Sequence, residues 1–314
     1  MKFRIIVTVS FLLTSGLAFS EEGGMSSLIF FDYSYQTSEN APDHNGFEVK
    51  RAYFTFSKSV THAIGFKIQF DVGRQKDRMN TNLYAYLKNA LVKWKTDAGT
   101  FIFGLQGMNV FKIQEKTWGY RFIEKSAMDR EKFASSADLG IGFSRKFAEK
   151  GFINAMITNG GGYKKPETDK YKKYSVLIGY GEQRLDKKRG FNAGVVFSYE
   201  PYKNGTVYRK QLIGFLAGFS VKKIRMGAEL NIMDDSAVDK QNKLLSVYAV
   251  YKITERYQIF GRADRLDDGA ENENYIIAGM VLVPAKSLMI APNVRILEDG
   301  SSRNSFNVNF QYNF

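Results

Sequence analysis

The sequence has no cysteine and only two histidines, His44 and His62, in 314 residues. The missing cysteines exclude a disulfide framework and thiolate chemistry, and the pair of scarcities excludes metal centres built from Cys and His. After Ser20 no run is long and apolar enough for a membrane helix, which needs about 20 predominantly apolar residues. Negative charge is short as well: 32 Asp+Glu stand against 45 Lys+Arg, a formal +13 that becomes +11 when Lys2 and Arg4 are set aside. Such an excess points to anionic partners. The charges are spread along the whole chain rather than gathered in one arm or helix, which argues against nucleic acid.

The N-terminus reads as an export signal, which fits nucleic-acid binding no better. Lys2 and Arg4 precede an apolar stretch from Ile5 to Phe19, and Ala18-Phe19-Ser20 puts small residues where a signal peptidase reads. The expected division is a signal peptide over 1–20, cleaved after Ser20, and one mature domain over 21–314.

From there on the pattern is alternation with period two, the mark of strands with two unlike faces. Phe306, Val308, Phe310, Tyr312 and Phe314 oppose Asn307, Asn309, Gln311 and Asn313. Ile64, Phe66, Ile68, Phe70 and Val72 oppose Gly65, Lys67, Gln69 and Asp71, and Ile224, Met226, Ala228, Leu230 and Ile232 oppose Arg225, Gly227, Glu229 and Asn231. Strands are expected near 27–36, 46–56, 63–72, 84–95, 99–108, 136–147, 151–159 and 172–181. More are expected near 190–200, 208–220, 222–232, 243–253, 256–266, 274–283, 287–297 and 304–314. The stretch 84–95 mixes charge and apolar residues on both faces, so alternation does not set its register.

Short connections (57–62, 97–98, 148–150, 254–255, 284–286) alternate with longer polar ones (37–45, 73–83, 160–171, 233–242, 267–273), as periplasmic turns alternate with outer loops. Glu182–Arg189 is long for the short side. A soluble β-sandwich also has regular short strands. Aromatic residues at strand ends (Phe30, Phe31, Phe101, Tyr199, Tyr251, Tyr257, Tyr312) and polar faces rich in Gly, Lys and Arg favour a girdled barrel with a wet lumen. The expected fold is thus all-β: a transmembrane antiparallel β-barrel of about sixteen strands in a bacterial outer membrane. The final Phe314, with Tyr312 before it, resembles the signal by which the barrel assembly machinery recognises such chains.

One connection is much longer than the rest, Asn109 to Ser135. Trp118, Tyr120, Phe122, Ile123 and Phe133 within it argue against disorder. In sixteen-stranded porins the third outer loop folds into the barrel, and this segment resembles that loop in position and length. Within it, Tyr120-Arg121-Phe122-Ile123-Glu124-Lys125-Ser126-Ala127-Met128-Asp129 resembles the corresponding run of the phosphate-selective porin family, O and P type. Val49-Lys50-Arg51-Ala52-Tyr53 and Lys67-Ile68-Gln69-Phe70-Asp71 resemble that family's opening hairpins. This chain is shorter than typical members, and Lys125 stands where Arg is common. The resemblance implies a passive pore for phosphate or similar small anions and a homotrimer.

Residue chemistry leads to anions separately, because a lumen lined by Lys and Arg concentrates them. Candidate wall charges are Arg51, Lys67, Arg225, Arg262 and Arg295. In the long connection they are Lys112, Lys116, Arg121, Lys125, Arg130 and Lys132, partly balanced by Glu115, Glu124, Asp129 and Glu131. Reversing Arg121 and Lys125 is expected to shift selectivity with little loss of barrel stability, and reversing Lys164 and Lys165, read as surface lysines, to do much less. A non-selective diffusion porin is the main alternative.

A barrel enzyme and a plugged adhesin are the rival classes. His44 and His62 fall on opposite sides of the membrane, which speaks against a histidine triad and leaves Asp/Lys schemes open. The acidic residues Asp264, Asp267, Asp268, Glu271 and Glu273 lack calcium-loop spacing and read as a solvated loop near lipopolysaccharide. Gly160-Gly161-Gly162 with Lys164-Lys165 lacks the phosphate-loop spacing and reads as a flexible outer loop. No cofactor is implied.

Overall fold

The computed structural model describes residues 23–37, 45–74, 82–238 and 240–314. The expected signal segment 1–20 and His44 lie outside the described residues, as do parts of the connections 37–45 and 73–83.

Sixteen strands follow one another: β1 Gly23–Gln36, β2 Asn45–Ser59, β3 Ile64–Arg74, β4 Leu83–Thr96, β5 Gly99–Gly107, β6 Ala137–Phe147, β7 Gly151–Thr158 and β8 Lys173–Gly181. Then come β9 Gly190–Asn204, β10 Thr206–Val221, β11 Ile224–Asp235, β12 Lys240–Lys252, β13 Tyr257–Asp267, β14 Asn272–Ala285, β15 Leu288–Glu298 and β16 Ser302–Asn313. Two short helices, α1 Lys112–Trp118 and α2 Ala127–Arg130, sit between β5 and β6. Each strand pairs antiparallel with its sequence neighbours and β16 closes on β1. The seam runs from Leu28 opposite Asn313 to Gln36 opposite Ser305, and Ser27 and Phe314 exchange backbone hydrogen bonds of 2.9 and 3.2 Å at its end. Closure leaves no edge strand and gives each strand a hydrogen-bonded neighbour on both sides, the condition for crossing lipid with strands. An open two-sheet sandwich is excluded by this topology.

Alternation decides which side meets what. In β11 the side chains of Ile224, Met226 and Leu230 are exposed, while Arg225, Glu229 and Asn231 are buried. The exposed apolar set faces lipid. The buried apolar residues gather instead around the β5–β6 connection, in one cluster with Val110, Ile113 and Met128 and another with Trp118, Tyr120 and Phe122.

Two departures from the sequence pattern matter for the lumen. Register slips between β1 and β2, where Phe30 faces Arg51 but Phe31 faces Val49, so Lys50 is an inserted residue. It slips again between β3 and β4, where Gln69 faces Asn89 but Phe70 faces Leu87, so Lys88 is inserted. A bulge lets neighbouring side chains share one side, and Lys88 and Asn89 are accordingly both buried. This is why 84–95 shows no clean alternation.

The outer connections are also shorter than their polarity suggests. Gly205, at φ 74°, is the one residue between β9 and β10, most of 233–242 is strand, and of 267–273 only 268–271 lie outside the strands. Beyond the membrane both faces of a hairpin are wet, so its residues lose the period-two signal while keeping their ladder.

Candidate functional site

The β5–β6 connection is held by side chains from the polar faces of most of the barrel. Asn109 Nδ2 donates to the carbonyl of Asn154 on β7 at 2.9 Å and Ser175 Oγ donates to Asn109 Oδ1 at 2.7 Å. Asn192 on β9 donates to Thr117 Oγ1 at 3.1 Å, and Arg225 on β11 donates to the Trp118 carbonyl at 2.9 Å. Tyr120 bonds Gln258 on β13, and Arg262 on the same strand donates to the Lys125 carbonyl. Tyr275 on β14 and Arg295 on β15 both donate to Glu124 Oε2, at 2.9 and 3.1 Å. Glycine supplies the room: a Cβ at Gly218 would lie 2.5 Å from Thr117 Cγ2.

Facing this packed segment, on the β1–β4 side, is a cavity of about 900 Å³. The strands contribute Lys50, Arg51, Arg74 and Arg295, and the outer connections Arg121, Lys125, Lys132 and Lys164. Against these eight basic side chains stand four acidic ones, Asp32, Glu48, Glu124 and Asp129. Of the eleven charges singled out in the sequence, five therefore share one space: Arg51, Arg121, Lys125, Lys132 and Arg295.

The eleven divide by chemistry. Arginines are mostly tied down, as the guanidinium fork suits carboxylates. Arg262 grips Asp264 through Nε and Nη2 at 2.8 and 2.7 Å, and Arg130 reaches Glu131 at 2.6 Å and Glu273 at 2.9 Å. Neither lines the cavity. Arg51 pairs with Asp71 at 2.6 Å, which also accepts from Tyr86. Arg121 pairs with Glu115 and, at 2.8 Å, with Asp129. Burial alone would weaken its charge, but those carboxylates outweigh it and hold the guanidinium above its ordinary pKa. Burial would likewise raise Glu124, but Arg295 and Arg262 hold it below the usual carboxylate range. Lysines behave otherwise: Lys112, Lys116, Lys125 and Lys132 make no ion pair among the described residues, and Lys67 donates to Gln69 at 3.3 Å. Enclosure by protein, with Lys93 and Lys116 nearby, pushes the Lys112 ammonium below its ordinary value.

Two sequence expectations need correction. Lys164 is exposed, as a surface lysine should be, but it also lines the cavity, with Nζ 4.6 Å from the centre of the Tyr86 ring, so it is not remote from the site. The loop it belongs to is fixed rather than free, since the Gly160 amide donates to Asp138 at 2.6 Å and Tyr163 N to the Ala137 carbonyl at 3.1 Å. And Arg121 cannot be reversed without cost, because a carboxylate there would face Glu115 and Asp129. Sequence reasoning also missed Lys50, hidden by its bulge, and Arg74, hidden in what read as a loop.

The phosphate-selective porin O and P family model matches residues 27–204, from β1 through β9 and across both helices. The chain belongs to that family. This porin is thus an outer-membrane barrel built as a passive channel. No curated protein matches it in sequence. Among solved structures it is similar to an anion-selective porin from Comamonas acidovorans, with a TM-score of 0.72 and 10% identity over 93% of this chain and 99% of that one. It is similar also to in-vitro folded OmpT of Vibrio cholerae in its trimer form, with a TM-score of 0.67 and 10% identity over 93% and 99%. OmpF of Salmonella typhi, in complex with daunomycin, gives 0.67 and 12% over 93% and 97%. At such identities the likeness is one of fold.

Proposed function

We propose that the protein is an anion-selective porin passing phosphate or similar small anions, with the β5–β6 connection folded into the lumen to narrow it. The observation that carries this reading is the eight-to-four excess of basic over acidic side chains around the 900 Å³ cavity. Charges act most strongly on an ion where the passage is narrow and water is scarce. The family's description and the anion-selective barrel of similar fold support the same reading. The trimer form of a similar barrel supports a homotrimer, which crosslinking in detergent would test. Export by a leader over 1–20, and assembly through the strand ending in Phe314, complete the proposal.

The test is a reversal potential across a planar bilayer in a KCl gradient. Chloride preference is expected, with phosphate lowering the chloride current as it competes for the same cations. A pore that prefers potassium would overturn the anion reading and leave a cation-selective or general porin. The preference should also weaken with rising pH. A lysine with a lowered pKa loses its charge as pH climbs through that value, so with Lys112 contributing the decline begins below the ordinary lysine pKa of about 10.4. A selectivity flat up to that pH would remove Lys112 from the account.

A further inference from the structure

The cavity beside the β5–β6 connection has an aromatic wall that an inorganic ion leaves unused. Two half-buried tyrosines line it together, Tyr86 of β4 and Tyr163 of the β7–β8 connection, with ring centroids 5.7 Å apart and planes 32° from parallel. Both rings are held. Tyr86 lies over Gly73 of β3, where a Cβ would come within 3.0 Å of its Cε1, so the missing side chain is what lets the ring rest on the wall. The Tyr86 hydroxyl donates to Asp71 Oδ2 at 2.9 Å. Tyr163 is anchored through its own amide, and the Gly160 amide ties down the same connection.

Two lysines attend these rings, and they differ. Lys88, turned inward by its bulge, is buried, donates to Ser136 Oγ and places its Nζ 3.6 Å from the centre of the Tyr163 ring. An ammonium so close to a ring face attracts it. Lys88 does not line the cavity, so its charge supports Tyr163 rather than meeting a solute. Lys164 is exposed and makes no ion pair among the described residues, and its Nζ lies 4.6 Å from the Tyr86 centroid and 5.7 Å from that of Tyr163. The result is a fixed aromatic shelf with an unpaired cation at its edge. Chloride or phosphate would meet the cations and leave the ring faces to water. A flat aromatic ring would cover them, since aromatic pairs attract beyond the area they bury. Space is ample: a cavity of about 150 Å³ already admits benzene, and this one has about 900 Å³.

We propose that the cavity is a binding site for aromatic carboxylates, with the ring laid on the Tyr86–Tyr163 shelf and the carboxylate on Lys164. This rests on the anion-channel reading and adds the class of organic solute that the channel retains. The full-length protein in a planar bilayer at pH 7 would carry chloride current while benzoate or acetate, both ionised there, is added on the outer side. Benzoate is expected to halve the current at a concentration at least tenfold below that of acetate. In Tyr86→Leu/Tyr163→Leu the two half-blocking concentrations should come within twofold of each other. The ratio of the two is the readout, because a merely distorted cavity would shift both alike. Tyr86→Phe keeps the ring and should keep the preference. If the leucine variant does not insert, the wild type and Tyr86→Phe still decide. Equal block of the wild type by benzoate and acetate overturns the proposal, as does an unchanged preference in the leucine variant or a lost one in Tyr86→Phe. The reversal potential in KCl keeps the two readings apart: a chloride-selective pore without benzoate preference overturns this inference alone, and a potassium-selective pore overturns both.

Discussion

Reversing Lys125 and Lys132 together to Glu should bring the channel close to non-selective. The wild-type cavity has eight basic and four acidic side chains, and the double change makes them six and six. With Lys164, these two carry the surplus because none of the three is tied to a carboxylate among the described residues, whereas Arg51, Arg74, Arg121 and Arg295 all are. A unit charge about 6 Å from an ion contributes ~0.7 kcal/mol even at the dielectric constant of water, already more than RT. The double reversal swings four such units. In a tenfold KCl gradient, where perfect selectivity gives ~59 mV, the reversal potential should move from the chloride side to near zero. Barrel stability should hold, because Lys132 is exposed and Lys125 meets Arg262 through its backbone carbonyl, not its ammonium. Arg121→Glu makes the contrast, since a third carboxylate beside Glu115 and Asp129 would disturb the segment and its conductance along with selectivity. A wild-type reversal potential in the double variant would mean that these lysines do not set selectivity.

The barrel itself was legible in the sequence because lipid imposes one rule on every strand. Phe306 to Phe314 alternate without a break, and β16 lies where that alternation lies. The rule fails where its physical cause is absent. Lys50 and Lys88 sit in bulges, which shift the period by one and so look like noise in a single sequence. The hairpin around Gly205 rises into water, where nothing distinguishes its faces. For the candidate site, residue type carried part of the answer. Charge singled out Arg51, Lys125 and Lys132, which line one cavity, but it could not separate the arginines that anchor the connection from the lysines left open to that cavity. That division depends on which carboxylates lie opposite, as Asp264 lies beside Arg262, and is set by pairing between strands and connection rather than by local sequence. Lys164 was misread for the same reason: its Gly-rich neighbourhood suggests freedom, and only the Asp138 and Ala137 contacts take that freedom away.

Trp118→Ala is expected to release the β5–β6 connection while leaving the barrel intact. Trp118 is fully buried at the end of α1 and meets Tyr120, Tyr248 and Phe260 edge-on, with ring centroids 5.3 to 5.8 Å away. Its Nε1 donates to the Glu124 carbonyl at 2.9 Å, which ties α1 to the stretch bearing Lys125. Truncating a buried aromatic of this size costs ~3–5 kcal/mol. None of the strand ladders involves Trp118, so the loss falls on the docking of the connection to the wall. At 1.4 kcal/mol per tenfold, the docked-to-undocked ratio should fall by roughly two to three orders of magnitude. Single-channel conductance should become larger and noisier while circular dichroism keeps its β signature, and Trp118→Phe should recover part of the wild-type trace. Gly218→Val approaches the same contact from the other side, because its Cβ would press within 2.5 Å of Thr117 Cγ2. If both variants conduct as the wild type does, the connection is not what limits the current, and the narrowing would have to come from the facing wall of Arg51, Arg74 and Lys164.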